Sequence, residues 1–145
     1  EAWQNGWFHY WVRSHPHHTD YAGIVWHGTY LEWMEAARIE ALRSLGITFA
    51  DLVETGYDLP VIDLQMRYRR AIAMGQPILL RTQMMPRKGV RLPWHYELWC
   101  GDRQTLHATA TVTLVCVDRR TNKILRRLPA NLQHILAHCQ TQPMS

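Results

Sequence analysis

The chain has 145 residues, 47% of them apolar and seven of them Trp, with a formal net charge of +4. That length suits a single domain, spanning 1–145, with a core of its own, and the apolar share excludes a disordered chain. No run approaches the roughly 18 uninterrupted apolar residues of a membrane span, and Glu1, Trp3, Gln4 and Asn5 stand where a secretory signal would be basic and then apolar. The three Cys, at 100, 116 and 139, are odd in number and lack metal-ligand spacing. They read as thiols in a reducing compartment, so the expected location is the cytoplasm.

The charge is unevenly divided. Up to Met66 there are three Lys/Arg against nine Asp/Glu, and from Arg67 onward thirteen against three. A basic second half attracts a phosphorylated ligand, membrane headgroups or nucleic acid. The aromatic-and-glycine pattern of single-strand readers is missing, so no nucleic-acid partner is expected.

From Trp7 to His15 apolar and polar residues alternate as in a half-buried strand. His15-Pro16-His17-His18-Thr19 then breaks any regular element. Pro16 splits the histidines and only Asp20 could complete a ligand set, so no metal is expected. Ala22-Gly23 lets the chain reverse before a strongly patterned helix. Thr29 followed by Glu32 reads as its capping box and Gly46 as its stop. Tyr30, Trp33, Met34, Ala37, Ala41 and Leu45 fall within roughly 120° of one another at about 100° per residue, one apolar stripe to be buried. Glu35 and Arg38 lie beside that stripe, placed for an ion pair at its flank.

A short helix follows over 47–56, with a cap at Thr48, a staple from Ile47 to Leu52, and Gly56 to end it. Strand-like runs occupy 61–72, 77–86, 90–100 and 104–117, joined by short turn-rich links that favour antiparallel neighbours. Pro93 argues against a central ladder position unless it sits at an edge or bulge. Pro129 opens a short helix through Ala137. This order predicts an α+β fold, an antiparallel sheet wrapped around the long helix.

The chemistry concentrates at the start of that helix. Its first amides have no partner inside the helix and carry about half a unit of positive charge, enough to polarise a carbonyl oxygen or hold an anion. Asp20 precedes them across a flexible link. A carboxylate there can attack a carbonyl or take a proton from water, although a loop Asp also serves simply to cap a turn.

The run Asp20-Tyr21-Ala22-Gly23-Ile24-Val25-Trp26-His27, followed by Tyr30-Leu31 and Glu35-Ala36-Ala37-Arg38, resembles the signature of the hotdog-fold acyl-CoA thioesterases related to 4-hydroxybenzoyl-CoA thioesterase. The resemblance implies hydrolysis of an acyl-CoA, or acyl carrier protein, thioester without metal or cofactor. It assigns Asp20 as nucleophile or general base, and gives His27 a role through its amide and its ring. Tyr21, Trp26, Gly28 and Tyr30 are the implied acyl-binding positions, with Glu35 and Arg38 as supporting candidates on the helix. Arg87 and Lys88 match a basic turn that holds coenzyme A phosphates, and Arg126 and Arg127 match more loosely. The family also implies a homodimer, often paired again into a homotetramer. The alternatives are a hotdog dehydratase or hydratase using His27 with Asp20, and a protein that binds acyl-CoA or acyl carrier protein without turnover.

Overall fold

A computed structural model describes residues 2–130, 133–134 and 137, the side chains of Phe49 and Leu52 excepted. Its elements, in chain order, are β1 (Trp3–Gln4), β2 (Trp7–Arg13), a 3-10 turn (Pro16–His18), α1 (His27–Ser44), α2 (Phe49–Glu54), β3 (Tyr57–Asp58), β4 (Val61–Tyr68), β5 (Pro77–Met84), β6 (Leu92–Cys100), β7 (Leu106–Leu114) and β8 (Val117–Asp118). Six strands form one antiparallel sheet in the order β1-β2-β5-β6-β7-β4, and β3 pairs with β8 beside it. The expected sheet wrapped on one long helix is present.

Three small strands escape the sequence reading, β1, β3 and β8. β1 forms because Asn5 and Gly6 adopt φ of 53° and 81°, the paired positive angles of a tight hairpin turn, which folds Trp3 back onto Phe8. β8 is the end of the run expected over 104–117: β7 stops at Leu114, and the chain resumes at Val117 against β3. Pro93 lies inside β6, a central strand, but as its second residue, beside the point where the β5 ladder ends at Met84↔Trp94. Its missing N–H therefore costs little.

Strand alternation sorts the sheet into two faces. One row, Phe8–Thr82–Tyr96–Ala110–Met66, runs across five strands toward α1. The adjacent row, His9–Arg81–Glu97–Thr109–Arg67, faces away. Against the inner face α1 buries Tyr30, Trp33, Met34, Ala37 and Ala41, five of the six expected stripe residues. Each large side chain so buried contributes about 1.5–3 kcal/mol. Ala37 and Ala41 are fully buried, and their small size lets strands approach the helix backbone.

α1 ends as expected. Gly46 N–H donates to Arg43 O at 2.9 Å and Ile47 N–H to Leu42 O at 3.0 Å, the paired bonds of a Schellman motif. Its start is three residues earlier than expected. Trp26 is the N-cap and supplies no side-chain bond, while the Thr29 hydroxyl donates to His18 O at 3.1 Å instead of capping. A buried Thr finds a carbonyl in the preceding loop more useful than an amide in its own first turn. α2 does carry its expected cap: Asp51 N–H donates to Thr48 Oγ1 at 3.1 Å, and Thr48 N–H to Asp51 Oδ2 at 2.8 Å. The Ile47–Leu52 staple and Cys139 lie outside the described residues, and the tail helix is described only at Ala130, Gln133, His134 and Ala137, all helical.

Candidate active site

The loop that carries Asp20 is a small closed structure. Asp20 N–H donates to Ile24 O at 2.9 Å, Gly23 N–H donates to Asp20 O at 3.0 Å, and Thr19 pairs with Val25. The reversal requires a left-handed residue, which Gly23 supplies at φ 79°. Within the loop, Asp20 Oδ1 accepts from Ala22 N–H at 2.9 Å and Ile24 N–H at 3.2 Å. Asp20 therefore does cap its own turn, with one oxygen. Oδ2 has no hydrogen-bond partner among the described residues, and the side chain is exposed.

Three sets of contacts fix this loop against α1 and the β4–β5 connection. His18 O accepts from both Trp26 N–H, at 3.3 Å, and the Thr29 hydroxyl, which ties the chain two residues before Asp20 to the first turn of the helix. The His18 ring packs edge-on against Trp33 at 5.3 Å between centroids. On the other side, Val25 N–H donates to Ile72 O and Met74 N–H to Gly23 O, so the loop leans on the β4–β5 connection.

That connection is held in turn by Ser14, a fully buried polar residue at the end of β2. Its hydroxyl donates to Ala73 O at 2.7 Å and accepts from Gln76 N–H at 2.9 Å, and Gln76 Oε1 accepts from Ala73 N–H at 2.8 Å. Sequence reasoning missed Ser14 and Gln76, because their partners lie about 60 residues apart and a lone Ser carries no periodic signal.

At the helix start, the amides of His27 and Gly28 have no acceptor among the described residues, whereas Thr29 N–H already donates to Trp26 O at 3.0 Å. The His27 ring is exposed and meets the Trp26 indole edge-on at 5.3 Å. The indole lies across Gly28, where any Cβ would overlap it, so this position must lack a side chain for Trp26 to cover the first turn. Tyr30 points the other way, buried against Trp33 and Tyr68, and burial pushes its hydroxyl pKa up. Tyr21 is fully exposed. Of the implied acyl-binding positions, the structure thus brings Trp26 and Gly28 to the helix start and sends Tyr21 and Tyr30 elsewhere.

Glu35 and Arg38 form no ion pair. Glu35 is exposed, and Arg38 reaches inward, donating from Nη1 to Tyr96 Oη at 2.9 Å. A phenol buried in the core draws the guanidinium past the flank, because an unpartnered hydroxyl there would be costly. The three loop histidines stack on one another, with centroids 4.0–5.6 Å apart, and burial followed by the neighbouring His17 and His15 holds the His18 pKa down. Among the described residues no three His, Cys, Asp or Glu converge as a metal group.

The basic turn after β5 is brought to the tail. Arg87 lines a cavity of about 550 Å³ with Arg126, Arg127, Leu128 and Gln133, while Lys88 stands at the exposed tip of the same turn, bridged to Arg91. None of Asp20, Trp26 or His27 lines it.

This arrangement has relatives. Residues 14–138 match the model of the thioesterase-like superfamily. The chain belongs to that family. Its relatives include a Synechocystis protein named "Putative esterase sll0410", 50% identical over 94% of this chain and 82% of its own length. The Haemophilus influenzae acyl-CoA thioesterase YbgC is 33% identical over 74% and 78%. A solved DHNA-CoA thioesterase from Staphylococcus aureus superposes with a TM-score of 0.81 at 25% identity, over 92% of this chain and 91% of that one. The fold is the hotdog fold, and the chain is an enzyme of the thioesterase class. No helix among its described residues is long and apolar enough to cross a membrane.

Proposed function

We infer that this thioesterase hydrolyses acyl-CoA to the free acid and coenzyme A, with Asp20 as the reacting carboxylate and the amides of His27 and Gly28 polarising the thioester carbonyl. One observation carries the reading. Asp20 has one oxygen pinned by two amides and the other unpartnered, on a loop bonded to a helix whose leading amides are also unpartnered. A carboxylate held this way loses little freedom on reaching the carbonyl carbon, or the water beside it. The amides match the oxygen that gains negative charge as the tetrahedral species forms, and removing one such donor typically costs 100- to 1,000-fold in rate. The exposure of the His27 ring beside the same amides supports a part for it in meeting the thioester group.

Recognition of the coenzyme falls to the basic cavity. Arg87, Arg126 and Arg127 come from segments some 40 residues apart, and such converging guanidiniums suit phosphate oxygens. Because Asp20 does not line that cavity, the reading includes a dimer in which the cavity of one chain serves the Asp20 of its partner. The edge strand β4 supports this: among the described residues it pairs on one side only, and Val61, Ile62, Leu64 and Tyr68 are 41–53% exposed along it. The cytoplasm remains the proposed location, supported by the free thiols of Cys100 and Cys116.

The deciding experiment is thiol release from short-chain, long-chain and aromatic acyl-CoA substrates, comparing the protein with Asp20→Asn. The expected outcome is turnover of at least one class and a loss of about 100-fold or more in the variant, with the melting temperature preserved. Equal rates in both proteins would remove Asp20 from the chemistry. Turnover of acyl carrier protein thioesters alone would reassign the carrier.

A further inference from the structure

The face of the sheet turned away from α1 holds a second polar site. His9 belongs to the outer row of β2, yet is only 8% exposed, and neither Nδ1 nor Nε2 has a partner among the described residues. Two unpaired nitrogens on so buried a ring are unusual, since each forgoes a bond it makes in water. Beside it Arg81, its cross-strand partner, donates from Nη1 to Glu97 Oε1 at 3.1 Å and packs under the Trp7 ring at 4.4 Å, while its buried Nε also lacks an acceptor.

These groups open onto one cavity of about 290 Å³, walled by Asn5 of the β1–β2 turn, Trp99 of β6 and Arg103 of the β6–β7 turn. The charges there do not cancel. Glu97 is taken up by Arg81 and by Trp99 Nε1, which donates to the same oxygen at 3.0 Å. Arg103 has no carboxylate partner among the described ion pairs, and its guanidinium sits over the Trp11 ring at 6.0 Å. Burial first, and then the charges of Arg81 and Arg103, lower the His9 pKa to about 4, so the ring is neutral at physiological pH. It offers one N–H and one lone pair. The cavity therefore presents donors on His9, Arg81 and Arg103, an uncompensated positive charge, and an acceptor on the His9 ring beside the donors.

We propose that this cavity, formed by His9, Arg81 and Arg103 on the outer face of the sheet, binds a small oxyanion that also carries a hydroxyl. Hydrogenphosphate and a short hydroxycarboxylate share that chemistry: their charged oxygens accept from the guanidiniums and the imidazole N–H, and their O–H donates to the remaining ring nitrogen. The volume admits such an ion and excludes a whole coenzyme. The site stands on the opposite face of the sheet from α1 and does not depend on the assignment of Asp20.

The test follows the ring resonances of His9 in the full chain labelled with 15N-histidine, assigned by their loss in His9→Gln. An Arg126→Ala/Arg127→Ala background removes the other basic cavity. The protein is titrated with sodium phosphate, with sodium lactate and, at matched ionic strength, with sodium chloride. Saturable movement with half-effect at about 1 mM or below, absent with chloride, is expected for phosphate or lactate, and the anion that produces it identifies the source. Arg103→Asn, which keeps a residue tolerant of the φ of 63° at that exposed turn, is expected to weaken the effect about tenfold. No saturable movement with either anion, or movement undiminished in Arg103→Asn, overturns the proposal and leaves His9 solvated by water alone.

Discussion

The two helices of this chain begin in opposite ways. α2, only six residues long, has its first amides closed by the reciprocal Thr48–Asp51 cap. α1, three times longer and the centre of the core, has no side chain on its leading amides and is closed only at its far end. Stability would place the better cap on the longer helix. The difference fits the proposed role of the α1 amides, since donors left without partners inside the helix are free to bind an oxygen outside it. It also explains why an exposed Asp20 loop is braced by so many bonds from outside: the missing cap is compensated by His18, Ser14 and the β4–β5 connection.

The sharpest way to break the comparison is to give α1 a cap. Trp26→Asp places a carboxylate at the N-cap, where it accepts from the N2 and N3 amides and repels a developing oxyanion. Relative to Trp26→Ala, which removes the indole alone, the expected result is a stability gain of about 1 kcal/mol in denaturant unfolding together with a fall in kcat/KM of about 100-fold. Unchanged activity would mean that the leading amides play no part in the reaction.

A smaller effect tests the external bracing. Ser14→Ala leaves Gln76 N–H and Ala73 O short of a partner at a half-buried place, so a loss of about 1 kcal/mol is expected. Hydrogen exchange should rise at the Gly23–Val25 and Ile72–Met74 amides more than in α2. A uniform rise would show that Ser14 supports the fold generally and not this loop. The smallest effect belongs to the capped helix: Thr48→Ala should cost about 1 kcal/mol by chemical unfolding and leave kcat/KM unchanged, because α2 contributes no residue to the proposed site.

Much of this was readable before any coordinates. The stripe on α1 was legible because period and burial coincide, Gly46 because a helix end needs its conformation, and the strands because turn residues punctuate them. The start of α1 was not. Thr29 and Glu32 have the spacing of a cap, but tertiary contact gave the Thr29 hydroxyl to His18, and the true N-cap, Trp26, has no capping chemistry to advertise. Asn5-Gly6 is a local signal for the first hairpin, since both residues tolerate the positive φ its turn requires. At the candidate site, the motif pointed to Asp20 and the helix start, while the inward turn of Arg38 to Tyr96 and the anchoring by Ser14 depend on groups 58 or more residues away. No local pattern reports such partners.

Ala37 and Ala41 have a further consequence. Both are fully buried on the side of α1 that meets the sheet. Two methyl groups thus act as the spacer between the layers, and they fix the gauge at which Tyr30, Trp33 and Met34 can be accommodated in the preceding turns. A branched side chain at either position would lift the helix like a shim and tilt its two ends unequally. The register between the helix start and the loop beneath it is thereby set from the middle of the helix, several turns away from any reacting group.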